Sequence, residues 1–80
     1  MKAEIEISLK EGILDPQAKT IFNALHSLGF DCVKDLQITK KMILNLDLED
    51  ANIAYDKLEA MSKDLLANPV IENYKIKILS

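Results

Sequence analysis

Arginine is missing from this 80-residue sequence, and all ten of its basic residues are lysines. Arginine grips phosphate and carboxylate groups through two parallel hydrogen bonds, so its absence argues against a dedicated phosphate or nucleic-acid site. Aromatic residues are also few, with two phenylalanines, two tyrosines and no tryptophan, and the net charge is −3. A nucleic-acid-binding protein is expected to carry a basic surface with interleaved aromatic residues. We therefore expect no nucleic-acid partner.

Long hydrophobic runs are absent as well, and the apolar runs present are short, such as Met42-Ile43-Leu44. A membrane span needs about 20 apolar residues. A secretory signal needs an apolar block of about 7–15 residues, whereas this chain alternates between polar and apolar residues from its start. The single cysteine, Cys32, cannot form an intrachain disulfide, which is typical of a reducing compartment. We expect a cytoplasmic protein without a membrane partner.

The sequence contains few residues suited to nucleophilic catalysis, because Cys32 and His26 are its only thiol and imidazole. A thiol nucleophile requires a base within hydrogen-bonding reach and a third group that orients the base. His26 falls on the flank of a predicted helix, and Cys32 lies beyond the end of that helix. We interpret them as a surface histidine and a small half-buried residue, and we predict no catalytic residues.

Metal and phosphate sites are not indicated either. A zinc site needs paired cysteine or histidine ligands, which do not occur. The acidic residues Asp47, Glu49 and Asp50 lie where a helix begins, and a calcium loop would need a glycine and more oxygen ligands. Residues 10–12 (Lys-Glu-Gly) are too little for a phosphate loop, which needs Gly-x-x-x-x-Gly-Lys-Ser/Thr. We expect this chain to bind no metal and no cofactor.

The first half of the chain predicts a strand and a helix. Residues 2–9 alternate strictly between polar and apolar, as a half-buried strand does. Asp15 can cap a helix, Pro16 suits its first position, and Gly29 can end it. The predicted buried face of this helix consists of five apolar residues at helical spacing: Ala18, Ile21, Phe22, Leu25 and Leu28.

The second half predicts two strands, a helix and a last strand. The strands cover about residues 32–39 and 41–48 and form a hairpin through Thr39-Lys40. A helix begins at Glu49-Asp50 and stops at Asn68-Pro69, since the residue before proline is pushed out of helical geometry. Its predicted buried face is Ala51, Ala54, Leu58, Met61 and Leu65. The last strand covers about residues 72–79, with Tyr74, Ile76 and Ile78 pointing inward.

This order predicts a single α+β domain over residues 1–80. It would be a two-layer sandwich of βαββαβ, ferredoxin-like order, with an antiparallel sheet and two helices on one face. The first and last strands would be neighbours, so that Glu4 and Glu6 face Lys75 and Lys77. A chain of this length buries only about 60% of its unfolded surface. The core is therefore thin, and a partner surface would add stability.

Four segments resemble the PurS family. They are residues 8–11 (Ser-Leu-Lys-Glu), 14–17 (Leu-Asp-Pro-Gln), 24–29 (Ala-Leu-His-Ser-Leu-Gly) and 65–74 (Leu-Leu-Ala-Asn-Pro-Val-Ile-Glu-Asn-Tyr). The resemblance spans nearly the whole chain. It departs from the family at residues 37–40, where Gln-Ile-Thr-Lys replaces a common Arg-x-Gly-Lys, and at Ala18, where members often carry glycine. Only Lys40 carries over from the first of these motifs.

The resemblance implies a function in de novo purine biosynthesis. PurS is the small subunit of phosphoribosylformylglycinamidine synthase, whose complex uses ATP, magnesium and glutamine. The synthetase subunit PurL performs the ATP chemistry, and the glutaminase subunit PurQ releases ammonia. A PurS-like chain would be non-catalytic, would bridge the two, would support ammonia transfer, and would form a homodimer or higher homo-oligomer. The resemblance places the candidate partner interface at Lys10, Asp15, Pro16, Lys40, Leu66, Asn68, Pro69 and Val70.

Two alternatives remain at this stage, because a fold shape does not determine a function. One is a small ligand-sensing regulatory domain of ferredoxin-like shape, which would bind an amino acid or a nucleotide in calorimetry. The other is a small enzyme of acylphosphatase type. Such an enzyme would need an arginine to stabilise the phosphate, and the sequence has none.

Overall fold

A computed structural model describes residues 1–79 of the chain and shows three strands and two α-helices. The strands are β1 (Lys2–Leu9), β2 (Lys40–Asn45) and β3 (Glu72–Ile78). Helix α1 covers Pro16–Ser27, helix α2 covers Ala51–Met61, and a π-helical turn over Ser62–Leu66 continues α2. The predicted α+β class is confirmed. None of the helices in residues 1–79 has the length and apolar character required to span a membrane.

The sheet is antiparallel with the order β2-β1-β3, so β1 is its central strand. Ile5 pairs with Met42 on one side and with Ile76 on the other. The alternation predicted for β1 is confirmed, because Ala3, Ile5 and Ile7 are at most 1% exposed. These three side chains form the floor of the core.

The outer face of the sheet carries the charge pairing expected from the sequence. Glu4 lies opposite Lys77, and Glu6 lies opposite Lys75, in the antiparallel register of β1 and β3. The ion pair of Glu4 that comes within 4 Å is made with Lys41 on β2, at 3.6 Å. Opposite charges across neighbouring strands favour this register.

Helix α2 covers the β3 side of the core, and Ala54 and Leu58 are completely buried. The prediction for its last turn is wrong, since Leu65 is 82% exposed. The cause is the π-helical turn, in which the Ala67 amide donates to the Ser62 carbonyl at 2.9 Å, five residues back. A π turn holds an extra residue, so it rotates Leu65 outward. Leu66 packs against the core in its place.

The chain between β1 and β2, residues 11–39, extends away from the sheet, and we call it the arm. Its helix α1 makes no substantial packing contact with the sheet or with α2 within residues 1–79. The radius of gyration is 16.2 Å, whereas a compact domain of this length would have about 12 Å. The predicted buried face of α1 is therefore largely uncovered: only Ala18 is buried, while Ile21 is 40% exposed and Leu28 is 73% exposed.

The strand predicted at residues 32–39 does not form, so the sheet has three strands within this chain and the four-stranded order is not reached. A two-residue hairpin requires positive φ at its central residues. Gly12 and Gly29 are the residues with positive φ in the described chain, and neither lies near Thr39-Lys40. Without such a turn, the chain runs on into β2 instead of reversing beside it.

The π-helical turn can be tested by stability. Replacing Leu58 with alanine should lower the free energy of unfolding by about 2–5 kcal/mol, because it opens a cavity in the core. Replacing Leu65 with alanine should change it by less than about 0.5 kcal/mol, because the side chain is exposed. Urea unfolding followed by circular dichroism at one protein concentration measures both. A Leu65→Ala protein as unstable as Leu58→Ala would contradict this assignment.

Candidate partner interface

Residues from distant parts of the chain meet at one end of the sheet, beside the turn between α2 and β3. The backbone amide of Lys10, which follows β1, donates to the carbonyl of Ile71 at 2.8 Å. The two loops that the sequence singled out for partner contacts therefore touch each other. We call residues 68–72 the corner.

Asn68 determines the shape of the corner. Its side-chain Oδ1 accepts from the Val70 amide at 3.1 Å, and its carbonyl accepts from the amides of Ile71 and Glu72 at 3.1 and 2.7 Å. Pro69 has no amide to donate, so the chain turns there without losing a hydrogen bond. The result is a tight turn whose tip, Val70, is 77% exposed.

Lys40 also reaches the corner, from the start of β2. Its Nζ lies 4.0 Å from Oε2 of Glu72, whose side chain is only 15% exposed. Sequence reasoning missed Glu72, although a signal was present. Glu72 alternates in step with Tyr74, Ile76 and Ile78, so it lies on the inward, apolar face of β3. A carboxylate on such a face needs a hydrogen-bond donor or a cation nearby.

Leu66 differs from the other candidates because its side chain packs against the core. It supports the corner from below, while Pro69 and Val70 remain exposed. The structure thus brings together Lys10, Lys40, Asn68, Pro69 and Val70 as a surface, with Leu66 as its base.

The arm begins with a loop, residues 11–15, and α1 follows it. Asp15 and Pro16 lie at the junction of this loop and α1. Oδ1 of Asp15 accepts from the amides of Gln17 and Ala18 at 3.0 and 3.2 Å, and Pro16 occupies the first helical turn. Their capping role is confirmed. Asp15 also lines a groove of about 660 Å³ between α1, residues 34–39 and the end of β1.

The apolar lining of this groove comes mainly from the arm. Phe22 of α1 lines it together with Leu36 and Ile38, and Leu14, which also lines it, is 69% exposed. An apolar groove of this kind accepts an apolar side chain from another element. Lys10 lies between the groove and the corner, since it lines both the groove and a smaller cleft beside Pro69 and Tyr74.

His26 and Cys32 do not form a nucleophile and its base. The Nε2 atom of His26 lies 2.7 Å from the Val33 carbonyl, and Nδ1 lies 3.5 Å from Oδ1 of Asp31. The contact between Nε2 and the Val33 carbonyl fastens the end of α1 to the following loop, and Nδ1 faces the Asp31 carboxylate. Cys32 is exposed and not half-buried as expected. His26 lies at the surface as expected, with its side chain 36% exposed.

Asp50, the last of the acidic residues before α2, has a structural role that its position predicts. Oδ1 of Asp50 accepts from the amides of Asn52 and Ile53 at 2.9 and 3.4 Å, which caps the helix. Within residues 1–79, no three histidine, cysteine, aspartate or glutamate side chains are grouped as metal ligands would be.

Comparison with known proteins places the chain in a family. The model of the PurS family, described as phosphoribosylformylglycinamidine (FGAM) synthase, matches residues 2–80. The PurS subunit of this synthase from Methanocaldococcus jannaschii is 43% identical over 96% of this chain and 93% of its own length. The subunit from Bacillus subtilis is 38% identical over 96% of this chain and 90% of its own.

Solved structures agree with this assignment. The crystal structure of M. jannaschii PurS has a TM-score of 0.85 at 43% identity and covers 95% of this chain and 92% of its own. A chain in the structure of PurLQS from Thermotoga maritima has a TM-score of 0.86 at 29% identity and covers 98% and 95%. The resemblance seen in the sequence is therefore confirmed, and the chain belongs to the PurS family of phosphoribosylformylglycinamidine synthase subunits.

Proposed function

We propose that this chain is the non-catalytic small subunit of a phosphoribosylformylglycinamidine synthase and acts in purine biosynthesis in the cytoplasm. The observation that carries the proposal is the match over residues 2–80 to the PurS family, together with the similarity to a chain of the T. maritima PurLQS complex. In this role it joins a PurL-type synthetase to a PurQ-type glutaminase and supports ammonia transfer. The corner, with Lys10 and Lys40, contacts one of these partners. ATP, magnesium and glutamine belong to the partner subunits, and this chain binds none of them.

The geometry of the chain supports an assembly role. The ring nitrogens of His26 face Val33 and Asp31 within the arm, and the exposed Cys32 makes no hydrogen bond to His26. The corner is a tight hydrogen-bonded turn with an exposed apolar tip, which is a surface suited to contact and not to chemistry. Loops on a rigid scaffold commonly carry binding contacts.

The same proposal includes a homodimer, or a higher homo-oligomer built from it, in which two copies exchange arms. The inner side of β2 presents Met42, Leu44 and Leu46, which are only partly buried, and neither helix packs substantially on β2 within residues 1–79. The arm presents the apolar face of α1, whose residues Phe22 and Leu25 are only half-buried. Within residues 1–79, each copy therefore has an apolar face of α1 that no sheet covers and an inner side of β2 that no helix covers.

Dimensions and symmetry fit this exchange. Helix α1 has 12 residues and is about 18 Å long, which matches the roughly 20 Å of the six-residue strand β2. The outer edge of β2 is unpaired in the sheet, and the partner's residues 32–39 would extend the sheet there. Reciprocal exchange makes the two contacts identical, which closes the dimer and removes an exposed edge.

Arm exchange predicts a dimer that one charge disrupts. Phe22→Asp should convert the dimer to monomer at micromolar concentration, because it places a carboxylate in the apolar contact between α1 and the partner's sheet. Asn23→Asp adds the same charge at the adjacent, exposed position and should leave the dimer intact. Sedimentation equilibrium measures the mass of each protein. A parent chain that sediments as a monomer, or equal dissociation in the two variants, would contradict the arm exchange.

The assembly role predicts the outcome of reconstitution with matching PurL-type and PurQ-type subunits. Glutamine-dependent synthesis should collapse when this chain is omitted, while ammonia-dependent synthesis by the large subunit should persist, because only the transfer of ammonia requires the assembly. Cys32→Ala should support glutamine-dependent synthesis within about twofold of the parent, since the exposed thiol has no chemical role. If Cys32→Ala abolishes turnover while the complex still assembles, the non-catalytic role is wrong.

A further inference from the structure

The two ends of the arm are fastened to the same five-residue corner. Lys10 precedes the arm and donates its amide to the Ile71 carbonyl at 2.8 Å. Lys40 follows the arm, and its Nζ lies 4.0 Å from Oε2 of Glu72. One backbone hydrogen bond and one ion pair therefore join the ends of the arm to the corner.

Glu72 connects these contacts to the shape of the corner. Its Oε1 accepts from the Asn68 amide at 2.8 Å, while its Oε2 faces Lys40. One carboxylate thus holds the first residue of the corner with one oxygen and meets the end of the arm with the other. A charged acceptor makes a stronger hydrogen bond than a neutral one. The contact with the Asn68 amide therefore depends on the position of the charged Glu72 carboxylate, and the ion pair with Lys40 helps to hold that position.

The position of the exposed tip follows from Asn68. Its Oδ1 accepts from the Val70 amide, and Val70 is 77% exposed. If the Glu72 carboxylate moves away from Asn68, the amide of Asn68 loses its partner and the turn that presents Val70 loosens. The chain Lys40–Glu72–Asn68–Val70 is continuous, with a hydrogen bond or an ion pair at each step.

We propose that Glu72 is a positioning residue that couples docking of the arm on a second copy to partner binding at the corner. This inference rests on the proposed function, because it deepens the role of the same surface. The arm has two states, docked on a second copy or free, and the Lys40–Glu72 pair transmits the difference. Coupling is reciprocal, so partner binding at the corner also strengthens the homodimer.

The first test uses the chain alone and requires no partner subunit. Glu72→Gln keeps an oxygen for the Asn68 amide but removes the charge, and Lys40→Met removes the cation. Each should raise the amide hydrogen-exchange rates of Asn68 and Val70 by about two- to fivefold, which is the effect of a weak ion pair with one exposed partner. The double variant should raise them no further, since both changes break one interaction. Glu59→Gln is the matched control, because it breaks the 3.9 Å ion pair between Glu59 on α2 and Lys63 in the π-helical turn.

The second test measures coupling in the complex. Phe22→Asp, which frees the arm, should weaken binding of the chain to the partner subunit at the corner by about two- to fivefold, and Asn23→Asp should not. In the Glu72→Gln background, Phe22→Asp should cost no further affinity. Titration calorimetry with the purified synthetase and glutaminase, each separately, gives these affinities.

The outcomes separate this inference from the proposed function. If Glu72→Gln and Lys40→Met leave the exchange of Asn68 and Val70 at the level of Glu59→Gln, the inference is overturned. It is also overturned if Phe22→Asp weakens partner binding equally with glutamate and with glutamine at position 72. If the exchange responds as expected but neither subunit binds the parent chain, the proposed function fails and the coupling to partner binding fails with it, whereas either of the two results above overturns the inference alone.

Discussion

The pairing of β1 along both of its edges is the constraint on which the rest of the structure depends. This strand joins β2 and β3, although they are separated by 26 residues of chain, and its Ala3, Ile5 and Ile7 form the buried floor. Burial of apolar side chains is the main favourable term in folding. Helix α2 completes the core by placing Ala54 and Leu58 over this floor, so the sheet and one helix form a stable unit while the other helix stays outside.

The thin core and the extended arm are both consequences of the short length of the chain. A short chain buries a small part of its surface, and this one also holds α1 away from its own sheet. The arm keeps its shape through local contacts: the Asp15 cap at its start, and His26 bound to the loop at the end of α1. Its apolar face and the open side of β2 are complementary in character and length. In the proposed dimer, a second copy would cover both surfaces without any change within either chain.

The corner is held together by a polar network. Asn68, Pro69 and Glu72 have sufficient structural reasons to be present, since they turn the chain from α2 into β3 with the polar groups of the turn bonded to one another. The same contacts hold Lys10 and Lys40 at the surface. The residues that shape this turn are also the residues that we propose to meet a partner, so a single set of contacts serves both interpretations of the segment.

The sequence by itself determined the class of fold, the strands β1 and β3 and their charge register, both helix caps, and the family, because these depend on local alternation, capping and short motifs. It also placed Lys10 and residues 66–70 among the contact candidates, but it did not find Glu72, whose role requires Lys40 from another strand. Tertiary structure alone decided the outward rotation of Leu65 by a π turn, the missing strand at residues 32–39, and the free arm. The physical reason is that periodicity shows which residues are apolar, whereas the surface that covers them, and whether it belongs to the same chain, is decided by packing.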